Sequence, residues 1–198
     1  VASEAFKACT SVVGTLTIPD SVTSVGASAF EGCSGITEVI MGSAVATMAS
    51  SSFAACPAIT TLDLRSQAIV GATYTTANPL LDTYFAASKG TIAAVAIGGG
   101  VTSVGTRAFY SAPALTTVTL ESGVTTVGDR SFMLCKSLTD ITMASSVTTF
   151  VASPFQACSS LEQLTIPSGT TTIPADFCHG CTSLQAIVIP DTVITVAS

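Results

Sequence analysis

The sequence predicts a solenoid, a single column of about eight coils that stack through parallel strands. The first observation is a period of 23 residues, at which a set of apolar positions recurs along the 198-residue chain. In the stretch 124–143 that set consists of Val124, Val127, Phe132, Cys135, Leu138, Ile141 and Met143. The second observation is that six of the seven cysteines share one phase: Cys9, Cys33, Cys56, Cys135, Cys158 and Cys181.

Each unit of the repeat divides into three predicted elements. The segment L-x-x-L-x-I alternates and favours branched residues, which predicts a strand, and Pro19, Pro167 and Pro190 end it in three units. A shorter extended piece such as 101–104 follows. Glycine then leads into S/A-F-x-x-C, for which we expect one turn of α- or 3₁₀-helix. An aromatic column is expected inside the coils, formed by Phe6, Phe30, Phe53, Phe109, Phe132 and Phe155.

Three irregularities interrupt the period, and the first is one extra residue at 13–14, since Cys9 lies 24 residues before Cys33. After Cys56 the cysteine phase next falls on Lys89, 33 residues later, so we expect the extra residues of about 65–86 to leave the coil as a loop. Near the end of the chain, counting in steps of 23 puts Cys178 in the aromatic position. We expect Phe177 to fill it instead, with a one-residue bulge before Cys181, because an exposed Phe would forfeit about 1–2 kcal/mol.

The pattern L-x-x-L-x-I-P-x-x-V-T-x-V-G-x-x-A-F-x-x-C resembles the BspA-like (Treponema pallidum-type) leucine-rich repeats. The resemblance covers nearly the whole chain and implies one right-handed leucine-rich-repeat solenoid over residues 1–198. The resemblance also implies a setting usual for this family, on secreted or cell-surface proteins of microbes, several of which act as adhesins. The chain begins and ends in the same phase of the repeat. We therefore expect a segment of a longer array, or alternatively a protein that stacks end to end into a filament or surface layer.

The composition narrows the classes of partner. Charged residues make up 9% of the chain and the net charge is −6, so the basic surface that nucleic acid or anionic lipid requires is missing. The uncharged run 39–62 is long enough to span a membrane, but it carries Pro57 and follows the repeat, so we do not read it as transmembrane. Stacking places column cysteines within disulfide reach; Ala112 in the same column nevertheless favours buried free thiols.

Few residues suggest chemistry. His179 lies between Cys178 and Cys181, a combination seen in nucleophile–base pairs and in zinc sites. Neighbours on a turn point in different directions, and the twelve acidic residues repeat in no column. We therefore expect a structural role for this group, no cofactor, no metal and no enzymatic activity.

Two surfaces are candidates for binding a protein or a glycan at a cell surface. The first is the concave strand face, whose threonines include Thr119, Thr142 and Thr165. The second is the 65–86 insertion, which carries residue types common in interfaces: Arg65, Tyr74, Asn78, Asp82 and Tyr84. The alternative for the first surface is a strand face that binds nothing, and the alternative for the second is an insertion that the fold merely tolerates. A further row of threonines in the V-T-T-V pieces has an analogy in ice-binding solenoids.

Overall fold

The structure, a computed structural model, describes residues 1–197 and consists of about eight stacked coils with parallel strands. The predicted fold class is therefore confirmed. One long strand per coil forms the first ladder: β1 Val13–Ile18, β3 Gly35–Met41, β5 Thr61–Leu64, β6 Ala94–Ile97, β8 Thr117–Leu120, β10 Asp140–Met143, β12 Gln163–Thr165 and β14 Ala186–Val188. Two-residue strands form the second ladder: β2 Ser24–Val25, β4 Thr47–Met48, β7 Ser103–Val104, β9 Thr126–Val127, β11 Thr149–Phe150, β13 Thr172–Ile173 and β15 Thr195–Val196.

The strands pair in the register that the repeat predicts. Val95 lies opposite Val118, and Val118 lies opposite Ile141, so equivalent side chains stack from coil to coil. Alternate residues of each strand point inward, and Leu62 and Leu64 are fully buried. Burial of one such side chain stabilises the fold by about 1.5–3 kcal/mol. A continuous dry core therefore runs along the column.

The predicted aromatic column is present, but Phe6 at its first position is 46% exposed, and the column includes a member that the spacing did not predict. Successive rings stack with centroids 5.4 Å apart for Phe6 and Phe30, and 5.3 Å apart for Phe109 and Phe132. Phe85 also joins the column, with its ring centroid 5.0 Å from that of Phe53. Because Phe85 comes from the insertion, counting along the sequence could not assign it.

Ser88 lies three residues after Phe85, which is the spacing between the aromatic residue and the cysteine column in the other coils. The assignment of Lys89 to the cysteine column was therefore wrong. Ser88 is fully buried and donates its hydroxyl to the carbonyl oxygen of Cys56. Lys89 is half-buried and forms an ion pair with Asp82, with 2.7 Å between Nζ and Oδ2. A charged side chain without a buried partner is excluded from the core, which explains the shift of one position.

The S/A-F-x-x-C segment is a non-helical turn, contrary to the prediction. Arg107 and Ser111, two residues before and after Phe109, have φ of 55° and 54°, and the same pattern recurs in other coils. The N–H groups of Phe109 and Ser111 donate to carbonyls of the next coil, each at 2.8 Å. Left-handed backbone costs about 1–2 kcal/mol per residue. The turn adopts it because it aligns these N–H groups into a third ladder.

The column cysteines bond to the preceding coil. The Sγ atoms of Cys135 and Cys158 lie 3.0 Å and 3.1 Å from the carbonyl oxygens of Phe109 and Phe132. The same contact is made by Cys33, Cys56 and Cys181. All seven cysteines are free thiols in the structure, and four of them, Cys33, Cys56, Cys135 and Cys158, are buried. The thiol therefore acts as a small apolar side chain with a weak donor.

The insertion does not leave the coil as a loop, so that expectation was wrong. It contains helices α1 Gln67–Val70 and α2 Leu80–Tyr84 and a 3₁₀ turn at Ala86–Ser88. Its apolar side chains are buried in the core: Ile69, Val70, Leu80, Leu81 and Phe85. Their burial outweighs the freedom of a solvated loop. The insertion follows the course of a coil, with its backbone N–H groups bonded to the carbonyls of Thr106 and Ala108.

A glutamine replaces the missing second-ladder strand of this coil. Helix α1 lies between β4 and β7, where a two-residue strand would otherwise stand. Gln67 Oε1 accepts the backbone N–H groups of Thr102 at 2.7 Å and Ser103 at 3.0 Å. Its Nε2 donates to Ser103 Oγ at 2.9 Å. The hydrogen bonds of the ladder are therefore continued by a side chain.

The predicted bulge before Cys181 is absent. The N–H of Phe155 donates to the carbonyl of Phe177 at 3.1 Å, with the same sequence separation as the bond from Phe109 to Ser131. Cys178 therefore occupies the backbone position of the aromatic residue. Phe177 still buries its ring, since it reaches inward from the preceding position and meets Phe155 at 88° with 5.5 Å between centroids.

Candidate binding face and its seam

The long strands present two rows of outward side chains, as the sequence predicted. Register aligns the first row as Thr17, Ile40, Asp63, Ala96, Thr119 and Thr142. It aligns the second row as Thr15, Glu38, Thr61, Ala94, Thr117 and Asp140. Thr119, Thr142 and Thr165 are all exposed, and they belong to three successive coils. We call this surface the long-strand face.

Most charges on one edge of this face are already paired. Arg65 follows β5 and holds the carboxylate of Asp63, with 2.6 Å between Nη2 and Oδ2. The hydrogen bond to Asp63 raises the pKa of Arg65. On a neighbouring coil, Asp20 Oδ1 accepts the N–H of Ser43 at 2.7 Å and its hydroxyl at 3.0 Å, which lowers the pKa of Asp20. The edge therefore offers little unpaired charge to a ligand.

The strand ladders are interrupted between two coils, at an interval that we call the seam. Strand β10 is the last of a six-stranded sheet, and β12 pairs only with β14 within residues 1–197. The second ladder breaks at the same interval, between β11 and β13. The turn ladder continues across it, with the N–H of Ala157 bonded to the carbonyl of His179 at 2.8 Å. The strand ladders therefore break between these coils, while the turn ladder and one long bond, 3.5 Å from the N–H of Glu162 to the carbonyl of Thr139, still join them.

Bulky side chains explain the seam. Phe150 lies opposite Val127, and Val127 lies opposite Val104, so a phenylalanine fills a position that holds valine in the preceding coils. Its ring meets those of Phe177 and Phe155 edge-on, with centroids 5.0 Å and 6.2 Å away. Because the core is closely packed, the backbones of the two coils lie further apart to make room for the ring.

A proline contributes on the other side of the seam. In the preceding pair of coils, the N–H of Ala144 donates to the carbonyl of Leu120 at 2.9 Å. The equivalent bond across the seam would run from the N–H of residue 167 to the carbonyl of Met143. Pro167 has no N–H to donate. Met143 is partly exposed, whereas its counterpart Leu120 is buried.

A cavity of about 280 Å³ opens at the seam on the long-strand face. Polar side chains from both coils surround it, namely Asp140, Thr142, Gln163 and Thr165, and its apolar part consists of Ile141 and Met143. Two of the three threonines predicted to bind therefore line one opening. Asp140 and Gln163 were not among the predicted residues, because the opening depends on aromatic residues elsewhere in the coil.

Apart from Arg65 at its edge, the predicted residues of the insertion do not join this face. Tyr74 is buried, and its hydroxyl donates to the carbonyl of Ile69 at 2.6 Å, so its assignment as a binding residue was wrong. Its ring completes the core of the inserted coil. Asp82 and Tyr84 are half-buried, and Asn78 is exposed. These residues lie on the side of the coil that carries the turns and the second ladder.

Two other arrangements suggested by the sequence can be placed in the structure. His179 is exposed, with Nδ1 3.3 Å from Nε2 of Gln156. Within residues 1–197, no group of three His, Cys, Asp or Glu side chains is positioned to hold a metal ion. The second threonine row is interrupted by α1 and again at the seam, so it does not form the continuous array of the ice-binding analogy.

The fold and the face define a class, a leucine-rich-repeat solenoid that presents a weakly charged strand surface. The chain belongs to the BspA type leucine-rich repeat family, whose pattern matches residues 1–77 and 80–198 in six copies. In the described residues no helix has both the length and the apolar character needed to cross a membrane. No curated protein sequence matches the chain.

Several solved structures have a similar fold. A leucine-rich repeat protein from Eubacterium ventriosum is 28% identical with a TM-score of 0.54, over 69% of this chain and 33% of that protein. The leucine-rich repeat protein of T. pallidum is 17% identical with a TM-score of 0.54, over 92% of this chain and 72% of that protein. A leucine-rich cell surface protein from Faecalibacterium prausnitzii is 23% identical with a TM-score of 0.49, over 94% of this chain and 62% of that protein. The chain thus spans one third of the first relative.

Proposed function

We propose that this chain is a non-enzymatic binding module of an extracellular or cell-surface protein. It presents the long-strand face, centred on the seam, to a protein or glycan on another surface. The observation that carries the proposal is the cavity between β10 and β12, where hydroxyl, amide and carboxylate groups of two coils surround an apolar floor. Ligand sites combine apolar lining with a few polar groups in this way.

The seam supports this role better than the rest of the face. Elsewhere on this face the strands of neighbouring coils are hydrogen-bonded to each other. At the seam the hydroxyl of Thr142 donates to the carboxylate of Asp140 at 3.4 Å, and Gln163 and Thr165 line the same opening, so donors and acceptors are both present. A partner with neutral polar groups suits this set better than a strongly charged one.

The insertion is proposed as a secondary contact. Asn78 is exposed, and Arg65, Asp82 and Tyr84 are half-buried, on or beside the inserted coil. Arg65 and Asp82 already form ion pairs, so their exposed charge is reduced. Removing one of these side chains should weaken binding less than a change at the seam.

The test compares two arginine substitutions. Thr142→Arg fills the seam cavity, whereas Thr47→Arg places the same side chain on an exposed position of the second ladder. We expect binding of the labelled chain to intact epithelial cells to fall about tenfold with Thr142→Arg and to stay unchanged with Thr47→Arg. Protease treatment of the cells removes a protein partner, and glycosidase treatment removes a glycan partner. Equal binding by both variants and the unmodified chain would refute the proposal.

A further inference from the structure

One turn of the solenoid carries two cysteines. In the other coils, the turn has an aromatic residue followed three positions later by Cys, Ala or Ser. In the last described turn both positions are cysteine, as Cys178-His179-Gly180-Cys181. The spacing C-x-x-C is that of dithiols that form and break disulfides. It arises here because Phe177 fills the aromatic space from the preceding position, which leaves the aromatic backbone position to Cys178.

The backbone brings the two cysteines close together. The N–H of Cys181 donates to the carbonyl of Cys178 at 3.1 Å, and Gly180 adopts a φ of 80°, so the four residues form a closed turn. The ends of such a turn have Cα atoms less than about 7 Å apart, a range that overlaps the 4.4–6.8 Å of disulfides. Both side chains are partly exposed, as is that of Cys9 in the first coil.

We propose that Cys178 and Cys181 form a redox-active dithiol, which closes to an intramolecular disulfide on reaction with a low-molecular-weight disulfide such as oxidised glutathione. One cysteine thiolate attacks a sulfur of the reagent, forms a mixed disulfide and releases one thiolate of the reagent. The thiolate of the other cysteine attacks the mixed disulfide and releases the second. In total the two protein thiols lose two protons and two electrons, and the reagent takes them up to become two thiols.

Closure changes the contacts between the last two turns. In the dithiol form Cys181 Sγ donates to the carbonyl of Phe155 at 3.2 Å. A disulfide has no S–H to donate, so this bond is lost on oxidation. The pair therefore links the redox state of the surroundings to the attachment of the last described turn. The inference is independent of the proposed binding function.

The rate of closure should increase with pH. Hydrogen bonding to the Cys181 thiol raises the pKa of Cys178. Hydrogen bonding with the Cys158 thiol raises the pKa of Cys181 to about 11. The attacking species is the thiolate, which is scarce in neutral solution and more abundant in mildly alkaline solution. Oxidation at about pH 9 should accordingly be faster than at about pH 7.

The experiment treats the full chain with oxidised glutathione, quenches it with acid, and alkylates the remaining thiols in denaturant. Chymotryptic cleavage after Phe177 and Leu184 isolates the pair in one peptide. We expect this peptide to carry no alkyl groups and two hydrogens fewer, to regain both alkyl groups after reduction, and to leave five of the seven thiols alkylated.

Two variants complete the test. Cys135→Ala removes a buried column thiol and should leave closure unchanged, since Ala112 already occupies that column. Cys178→Ala should abolish closure and leave Cys181 as a thiol or a mixed disulfide. Alkylation of both cysteines in the oxidised unmodified chain would overturn the proposal. Accumulation of a mixed disulfide without closure, or a link between Cys158 and Cys181, would overturn it equally.

Discussion

Gln67 Oε1 accepts the backbone N–H of Thr102 across a distance of 2.7 Å, so a side chain in helix α1 provides the acceptor that a neighbouring strand would otherwise provide. The adjacent N–H of Ser103 is bonded to the same oxygen at 3.0 Å. Backbone N–H groups between packed coils require such partners, because an unpaired one costs free energy comparable to a lost hydrogen bond. One glutamine thereby lets a coil of different length stack in the column.

Replacing this glutamine should destabilise the whole solenoid. We expect Gln67→Ala to lower the free energy of unfolding by about 1–3 kcal/mol, since two backbone donors lose their acceptor. Gln185→Ala is the matched control, because Gln185 is exposed and its side chain makes no hydrogen bond within residues 1–197. Urea unfolding of both variants measures the difference. Equal stabilities would mean that water replaces the amide without loss.

Gly105 should tolerate no side chain. A Cβ atom there would collide with the backbone carbonyl oxygen of Ala72, while the N–H of Gly105 bonds to Val70 at 2.9 Å. Backbone must therefore move, and we expect Gly105→Ala to lower the free energy of unfolding by more than about 2 kcal/mol. Gly90→Ala provides the comparison, since no atom lies within 4 Å of its added Cβ. Thermal unfolding should show a large loss for the first variant and a negligible change for the second.

Strands β10 and β12 should pair across the seam when the large side chain of Phe150 is replaced by a smaller one. Phe150→Val restores the side chain that the two preceding coils carry at this position, so β10 and β12 can approach and pair. We expect the backbone amides of β12 to exchange hydrogen about tenfold more slowly in the variant. Phe132→Val makes the same change within the stacked aromatic column, and it should accelerate exchange through the cavity that it creates. Unchanged exchange in β12 after Phe150→Val would mean that the ring does not hold the seam open.

Stability should fall in alkaline solution. Burial raises the pKa of Cys135 to about 12 and that of Cys56 to about 11, from an ordinary 9.0. The unfolded chain therefore releases these protons at a lower pH than the folded chain. The stabilisation is fully present below pH 9 and is lost as the pH rises towards 12. Cys135→Ala should reduce the slope of unfolding free energy against pH in this range, and an identical slope would contradict the assignment.

The candidate site was only partly predictable. Thr119, Thr142 and Thr165 were assigned to one face because the period fixes which side chains point outward. Their convergence with Asp140 and Gln163 on a cavity was not predictable, because it follows from the volume of Phe150 and Phe177 on the other side of the core. The composition of the insertion suggested a partner-binding loop, yet Tyr74 fills the interior. Tyrosine is common in interfaces and in cores, and the sequence does not distinguish the two.

The sequence by itself determined the stacking of coils, the strand register and the aromatic column, because these depend on which residues recur every 23 positions. Only the tertiary structure decided between which coils the strand ladders are interrupted and which side chains accommodate each interruption. Volume, backbone approach and hydrogen-bond geometry act between coils in three dimensions. Gln67 reaches a strand 35 residues away, and the rings at the seam separate strands that the period alone would pair.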